Sequence, residues 1–364
     1  MSLKTLLDGL EIPIIQGPMV GASDAALALA VGRAGGLGSL AAGGLAPGDI
    51  AAAIAAIRAA SGRPFAVNLL MAPKAAPEPE VVEAALARLA PWYAELGEPA
   101  PAAPNQFAPD FEAQLAAVIA AAPPIASFTF DVLAPDQVAA LHRAGTYVLG
   151  TANTVAEARA WAQAGADGIC AQGAEAGGHR GNFLADVEES LVGTFALVAT
   201  IRAAVDLPVV AAGGIMDGRG VAAALGLGAS AAQMGSAFLL SDEAVTSAAW
   251  RGAIEAAPDD PTRLTRAFTG RYARGIENRF MRQWRAVERE VPAYPVQNRL
   301  TQPLRAAAAR AGEPDMLSLW AGQGVRLAGR GSAEAMVRRW WDEARAAAVE
   351  LADRTQARAG TRAD

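Results

Sequence analysis

The 364-residue chain is 52% hydrophobic and 19% charged, with a formal net charge of −6. That length can bury a sizeable core, either as two domains or as one large α/β barrel with insertions. The acidic balance argues against nucleic acid as a main partner, the single cysteine forbids an internal disulfide, and one cysteine with two histidines is a poor basis for a metal site.

The first residues lack a basic segment followed by a long apolar one, and no stretch approaches the roughly 20 uninterrupted apolar residues of a membrane helix. The chain therefore reads as soluble and cytoplasmic, with no membrane partner. In chain order, short apolar runs at 12–16, 37–41, 65–70, 125–130, 147–151, 168–172, 209–212 and 231–235 predict strands. Stretches of helical composition lie between them at 49–60, 135–144, 155–164, 192–204 and 218–227. Runs too short for helices, alternating with helices, indicate a parallel sheet buried on both faces. Eight such units match a (β/α)8 TIM barrel of the α/β class. An open doubly wound sheet is the alternative, but Gln16-Gly17-Pro18-Met19-Val20-Gly21 has proline where a dinucleotide-binding turn wants glycine.

The spacing is uneven, so the barrel carries decorations. Residues 72–124 contain a helix-like 78–96 and then a proline-rich surface excursion at 97–104. Residues 241–310, dense in arginine and aromatic side chains, are expected to form a smaller helical insertion or lid domain. The barrel is assigned to 1–240 and 311–351, with its last helix starting near Ser332, a good N-cap. A polar tail at 352–364 is expected to fray.

In such barrels, ligands bind at the C-terminal ends of the strands, and phosphate commonly binds at the loops after strands seven and eight. Here those loops are Gly213-Gly214-Ile215 and Gly235-Ser236-Ala237. A third glycine-marked end, Gln172-Gly173-Ala174-Glu175-Ala176-Gly177-Gly178-His179-Arg180-Gly181, follows the sixth strand. Glycine lets backbone N–H groups approach a ligand, and helix N-termini receive phosphate without lysine. One glycine pair alone is equally well a tight turn; three in this order predict a phosphate cradle. Met19, Asn68 and Gln172 also fall at strand ends, where the two amides offer the donors and acceptors that the polar edge of a flavin needs. His179 is the strand-end histidine, and its ordinary pKa of about 6.5 suits proton transfer at neutral pH. His142 lies within a predicted helix and reads as structural, as do Glu175 and Arg180 beside the His179 turn. No Gly-x-Ser-x-Gly elbow is present, which weighs against serine hydrolase chemistry.

These residues resemble the nitronate monooxygenase family, once called 2-nitropropane dioxygenases, over nearly the whole chain. The resemblance rests on Gln16-Gly17-Pro18-Met19, Asn68, the 172–181 motif, Ala211-Ala212-Gly213-Gly214-Ile215 and Gln233-Met234-Gly235-Ser236. Phe268-Thr269-Gly270-Arg271-Tyr272-Ala273-Arg274-Gly275 and Trp320-Ala321-Gly322-Gln323 point to its class I branch. The resemblance implies FMN, no metal, and oxidation of alkyl nitronates, in some members nitroalkanes, by dioxygen to a carbonyl compound and nitrite. It implies FMN contacts at Met19, Asn68, Gln172, Gly177, Gly178, Gly213, Gly214, Gln233, Met234, Gly235 and Ser236, with His179 as the active-site histidine. The chain departs from the family in two places: Ser236 stands where threonine is usual, and Thr129 stands where many relatives carry histidine. Thr129, Tyr272 and Tyr294 are candidate substrate-pocket residues, and core packing accounts equally well for the two tyrosines. The resemblance also leaves two rivals: a flavin-dependent NAD(P)H reductase, acting on enoyl-acyl-carrier-protein or quinone, and a flavin-binding barrel without turnover. Propionate 3-nitronate is a toxin that family members remove, though nothing in this sequence selects it, and the oligomeric state stays open.

Overall fold

The computed structural model describes residues 2–360. Its strands in chain order are β1 (Ile14–Gln16), β2 (Gly38–Ala41), β3 (Phe65–Leu70), β4 (Ile125–Thr129), β5 (Tyr147–Ala152), β6 (Gly168–Gln172), β7 (Gly178–His179), β8 (Val209–Ala212), β9 (Ala231–Met234), β10 (Thr262–Thr265) and β11 (Ala273–Ile276). Eight of them pair in the order β1-β9-β8-β6-β5-β4-β3-β2, all parallel. A parallel bridge between Ile15 and Leu37 joins the two outer strands and closes the barrel. Across that seam Gln16 N–H donates to Leu37 O at 2.9 Å and Leu37 N–H donates to Ile14 O at 2.9 Å. The expected TIM barrel is therefore present, each strand within two residues of its predicted bounds.

Successive side chains on a strand face opposite ways. Ile15, Ala66, Ile125, Leu149, Cys170, Val210 and Ala231 form one buried cluster inside the barrel, and Leu3 and Leu7 of the helix Leu3–Asp8 join it. Their neighbours in sequence, among them Ile14, Val67, Ala126, Val148, Ile169, Val209 and Ala232, belong to the larger core under the outer helices. The same alternation carries Asn68, Thr129, Thr151, Gln172 and Gln233 onto the inward face at the C-terminal ends of their strands.

The outer helices are bounded by local chemistry. Asp24 accepts the N–H groups of Ala26 and Leu27, and Gly35 ends that helix in the left-handed region. Thr154 and Gly165 do the same for Val155–Ala164. That helix inserts Trp161, fully buried, against β5. Its indole N–H donates to Thr151 O at 3.1 Å, and a Cβ on Gly150 would sit 2.1 Å from its ring.

A second core lies apart from the barrel and is wider than the 241–310 segment. It contains Phe268, Phe280, Trp284 and Leu300, but also Val82, Leu89, Trp92 and Tyr93 from the helix Pro79–Glu95, and Met316, Leu319 and Val325. Phe280 stacks on Phe268 at 4.4 Å and meets Trp92 at 4.7 Å between ring centroids. Tyr93 O–H donates to Leu300 O at 2.8 Å. The helix was legible at 78–96, but its partner lies some 200 residues away. Besides helices, the segment after residue 240 carries β10 and β11, paired antiparallel, with β7 on the far side of β11. Arginine and glycine within these short runs masked their strand character.

Of the stretch expected to fray, residues 352–360 belong to the last helix, Ala333–Gly360. Ser332 caps it through Ala335 N–H. Glu350 then pairs with Arg354 one turn on and with Arg219 of the barrel. Residues 361–364 lie outside the described residues. Trp161→Ala should destabilise the barrel by about 3–5 kcal/mol, read as a lower urea midpoint; a change within error would show that the cavity collapses without loss.

Candidate active site

The His179 turn is built into two sheets at once. Upstream it follows β6; downstream β7 pairs antiparallel with β11, His179 opposite Ala273 and Gly178 opposite Arg274. Arg180 N–H continues the ladder to Tyr272 O at 2.9 Å. Gln172 braces the turn from below: its Oε1 accepts Gly181 N–H at 2.9 Å and Asn153 Nδ2–H at 3.0 Å, and its Nε2 donates to His179 O at 3.1 Å. Two arginines then take three successive carbonyls. Arg180, fully buried, donates to Gly173 O at 2.6 Å and Gln172 O at 3.1 Å. Arg274 donates to Ala174 O at 3.1 Å. Arg271 reaches back over the turn to Arg180 O at 3.0 Å and to Asn182 O.

The imidazole of His179 sits among three rings, Phe130 at 5.5 Å, Tyr294 at 5.6 Å and Trp320 at 5.7 Å between centroids. Phe130 holds φ at 94°, a conformation rare for a bulky residue. Nε2 of His179 lies 2.9 Å from Thr269 Oγ1. Burial, then the positive charges of Arg271 and Arg305, push the imidazole down to about 3. Arg271 lies over the Phe130 ring at 4.2 Å. Arg305 is held by Asn298 O at 3.0 Å, Asn298 Oδ1 at 2.9 Å and Ser318 Oγ at 3.3 Å. Burial lowers both guanidiniums to about 10, so both stay charged at neutral pH. Burial also raises the Tyr294 phenol, keeping it protonated. The pocket is thus cationic, apolar-walled and furnished with one neutral imidazole.

Beside it, four backbone segments meet. A Cβ on Gly177 would fall 2.5 Å from Gly322 N, so these two chains touch backbone to backbone. Gly322 N–H donates to Ser236 Oγ at 2.8 Å and Gln323 N–H to Glu175 O at 3.0 Å. Gly213 and Gly214 take φ of 116° and 73°, which a side chain would strain. Glu175 ties this cradle to the next helix, accepting Thr194 N–H at 2.9 Å and Thr194 Oγ1–H at 2.8 Å. Glycine backbone from these segments converges beside the 3-10 turn Ser236–Phe238, and close-approaching backbone N–H groups of this kind are chemically suited to a phosphate monoester.

The other expected residues distribute unevenly. Asn68 Nδ2 donates to Ser127 Oγ at 3.0 Å, and Gln233 Nε2 lies 3.5 Å from Cys170 Sγ, both inside the barrel mouth. The Met19 sulfur approaches Gly235. Met234 turns its side chain into the core outside the strands, wholly buried, because one step along the strand from Gln233 reverses the facing. Its carbonyl remains near the site, accepting Gly17 N–H at 2.8 Å. Thr129 O–H pairs with Thr151 O–H at 3.1 Å, beneath Gly181. Tyr294 borders His179, whereas the Tyr272 ring faces Arg266, 5.9 Å away. His142 pairs with Asp167 at 2.8 Å on the outside of the barrel. Sequence reading missed Phe130, Thr269, Arg271, Arg305 and Trp320 as site residues. Thr269, Arg271 and Trp320 lie within motifs already quoted, which was the available signal.

Residues 2–342 match the family model described as nitronate monooxygenase. A probable nitronate monooxygenase of Staphylococcus aureus (strain Newman) is 38% identical over 325 residues, 89% of this chain and 92% of that protein. The structure of nitroalkane oxidase from Streptomyces ansochromogenes superposes with a TM-score of 0.88 at 42% identity, over 95% of this chain and 99% of that one. FabK from Thermotoga maritima is more distant, with a TM-score of 0.74 at 28% identity over 97% and 99% of the two chains. Among the described residues, no helix is long and apolar enough to cross a membrane, and no cluster of three or more His, Cys, Asp or Glu is placed to hold a metal ion.

The depressed His179 pKa has a consequence for stability. Between about 6.5 in the unfolded chain and about 3 in the folded one, the unfolded chain binds a proton that the folded chain does not. Stability should therefore fall as pH drops from 6.5 towards 3. His179→Gln should flatten that slope in denaturant titrations at stepped pH; an unaltered slope would mean the imidazole is solvated.

Proposed function

The chain belongs to the nitronate monooxygenase family and is an oxidoreductase, and from that premise we propose that it oxidises alkyl nitronates with dioxygen to a carbonyl compound and nitrite, using FMN. The observation that carries this reading is the His179 imidazole packed among Phe130, Tyr294 and Trp320, with the Arg271 guanidinium over the Phe130 ring; burial and the charges of Arg271 and Arg305 hold the imidazole neutral. A nitronate is a small anion with an apolar tail. Two guanidiniums draw its charge while Phe130, Tyr294 and Trp320 cover its carbon chain.

FMN, when bound, supplies the redox chemistry that these side chains lack. The backbone around Gly177, Gly178, Gly213, Gly214, Gly235 and Ser236 would hold its phosphate, and Met19, Asn68, Gln172 and Gln233 would border its ring. Gln172 brings one free N–H to that task, since the rest of its amide braces the His179 turn. His179 would take the α proton from a neutral nitroalkane, and would orient a nitronate that arrives already ionised. The elements after residue 240, acting as a lid, would limit bulk water at the reacting carbon.

Purified protein should show a flavin spectrum, take up oxygen with propionate 3-nitronate and release nitrite, with neither NADH nor NADPH bleaching the flavin anaerobically. Bleaching by a nucleotide with an inert nitronate would move the chain to the reductases. His179→Ala should lower kcat/KM on neutral nitroalkanes by about 10²–10⁴ and lower it less on preformed nitronates; full turnover on both would refute the assigned role. Gly177→Ala places its Cβ 2.5 Å from Gly322 N. It should weaken FMN binding by about tenfold or more, measured by fluorescence titration, with the far-ultraviolet dichroism unchanged.

A further inference from the structure

We infer that Thr269 is a positioning residue that holds His179 as its Nε2–H tautomer and so makes Nδ1 the nitrogen that receives the substrate proton. The second half of this statement rests on the function proposed above; the first half does not.

The argument is one of hydrogen-bond capacity. Thr269 Oγ1 has three neighbours: His179 Nε2 at 2.9 Å, Arg271 O at 2.9 Å and Arg271 N at 3.4 Å. A hydroxyl has one proton to donate and two lone pairs. The backbone N–H of Arg271 can only donate and its carbonyl can only accept. Among the described residues, Arg271 O has no other donor. If the hydroxyl donated to Nε2, that carbonyl would be left unpaired within a half-buried turn. If it donates to Arg271 O, both lone pairs are filled by Arg271 N–H and Nε2–H, and no group is left over. The imidazole is held neutral by burial, so its other nitrogen then carries a lone pair. Nδ1 has no hydrogen-bond partner among the described residues.

Two features keep this assignment from being exchanged. The ring is packed against Phe130, Tyr294 and Trp320, so turning it over requires three aromatic side chains to move. Thr269 is itself fixed: it is buried, and Arg266 O accepts both its N–H at 3.2 Å and that of Gly270 at 2.7 Å. The pairing of His179 with Ala273 sets the register between the two.

The test is ¹⁵N NMR of the flavin-loaded protein labelled at histidine, with His142 assigned by substitution. The wild type should show His179 Nε2 as a pyrrole-type and Nδ1 as a pyridine-type nitrogen. Thr269→Val, which removes the hydroxyl and keeps the shape, should mix or reverse the tautomers. It should also lower kcat/KM on a neutral nitroalkane by about tenfold to a hundredfold, and Thr269→Ser should restore both. A wild-type spectrum with Nδ1–H, or a tautomer unmoved by Thr269→Val, would overturn the assignment even if a variant folds poorly. Should no nitro compound be oxidised while the spectra behave as described, the tautomer lock stands and the proposed function fails.

Discussion

The joint between β7 and β11 is the contact on which the rest of this site depends. Two residues, Gly178 and His179, leave the barrel and pair with Arg274 and Ala273 on a hairpin that belongs to the other core. Neither partner defines the pocket alone. The barrel contributes the imidazole, and the hairpin with its flanking turn contributes Thr269, Arg271 and the backbone ladder that aims it. A loop of this length on a barrel rim would be among the more mobile parts of the fold. Here it is an edge strand, paired with β11 on one side and braced from the barrel by Gln172.

Two buried arginines brace that joint. Arg180 and Arg274 take the carbonyls of residues 172–174, so the loop's acceptors point towards guanidiniums. Each of these cations was removed from water, and each carries a lowered pKa from that burial. Their hydrogen bonds go to uncharged carbonyls, which offset desolvation without cancelling the charge. The result is a region of positive potential lined with backbone, suited to phosphate on one side and to a small anion on the other. His179 is kept neutral first by burial and then by the charges of Arg271 and Arg305.

The two cores explain why the site sits where it does. The barrel alone ends in polar strand tips, Asn68, Thr129, Gln172 and Gln233, open to water above. The second core, knitted from Pro79–Glu95, the post-barrel helices and the 316–325 stretch, supplies the apolar cover. Gly322 and Gln323 then lock onto Glu175 and Ser236, so cradle and cover share hydrogen bonds. Closure of the pocket and completion of the cradle are one packing event.

Much of this was legible before any fold was known. Strands announced themselves as short apolar runs bounded by glycine and polar residues, and Asn68 and Gln172 stood out at their C-terminal ends. The glycine motif was legible because the need for close backbone approach is local, and a Cβ cannot be accommodated wherever the chain goes next. Met234 shows the limit of motif reading: its place in the motif is right, yet the pleat turns its side chain away. Thr269 lies 90 residues beyond His179, and Trp92 of the helix Pro79–Glu95 meets Phe280, also remote along the chain. Such contacts depend on where the chain returns to, which propensity and periodicity do not encode. Composition and pattern by themselves determined a closed parallel barrel with a glycine cradle and one histidine at its mouth. Only tertiary structure decided which hydroxyl, rings and guanidiniums surround that histidine, because burial, charge and hydrogen-bond partner are properties of neighbours in space.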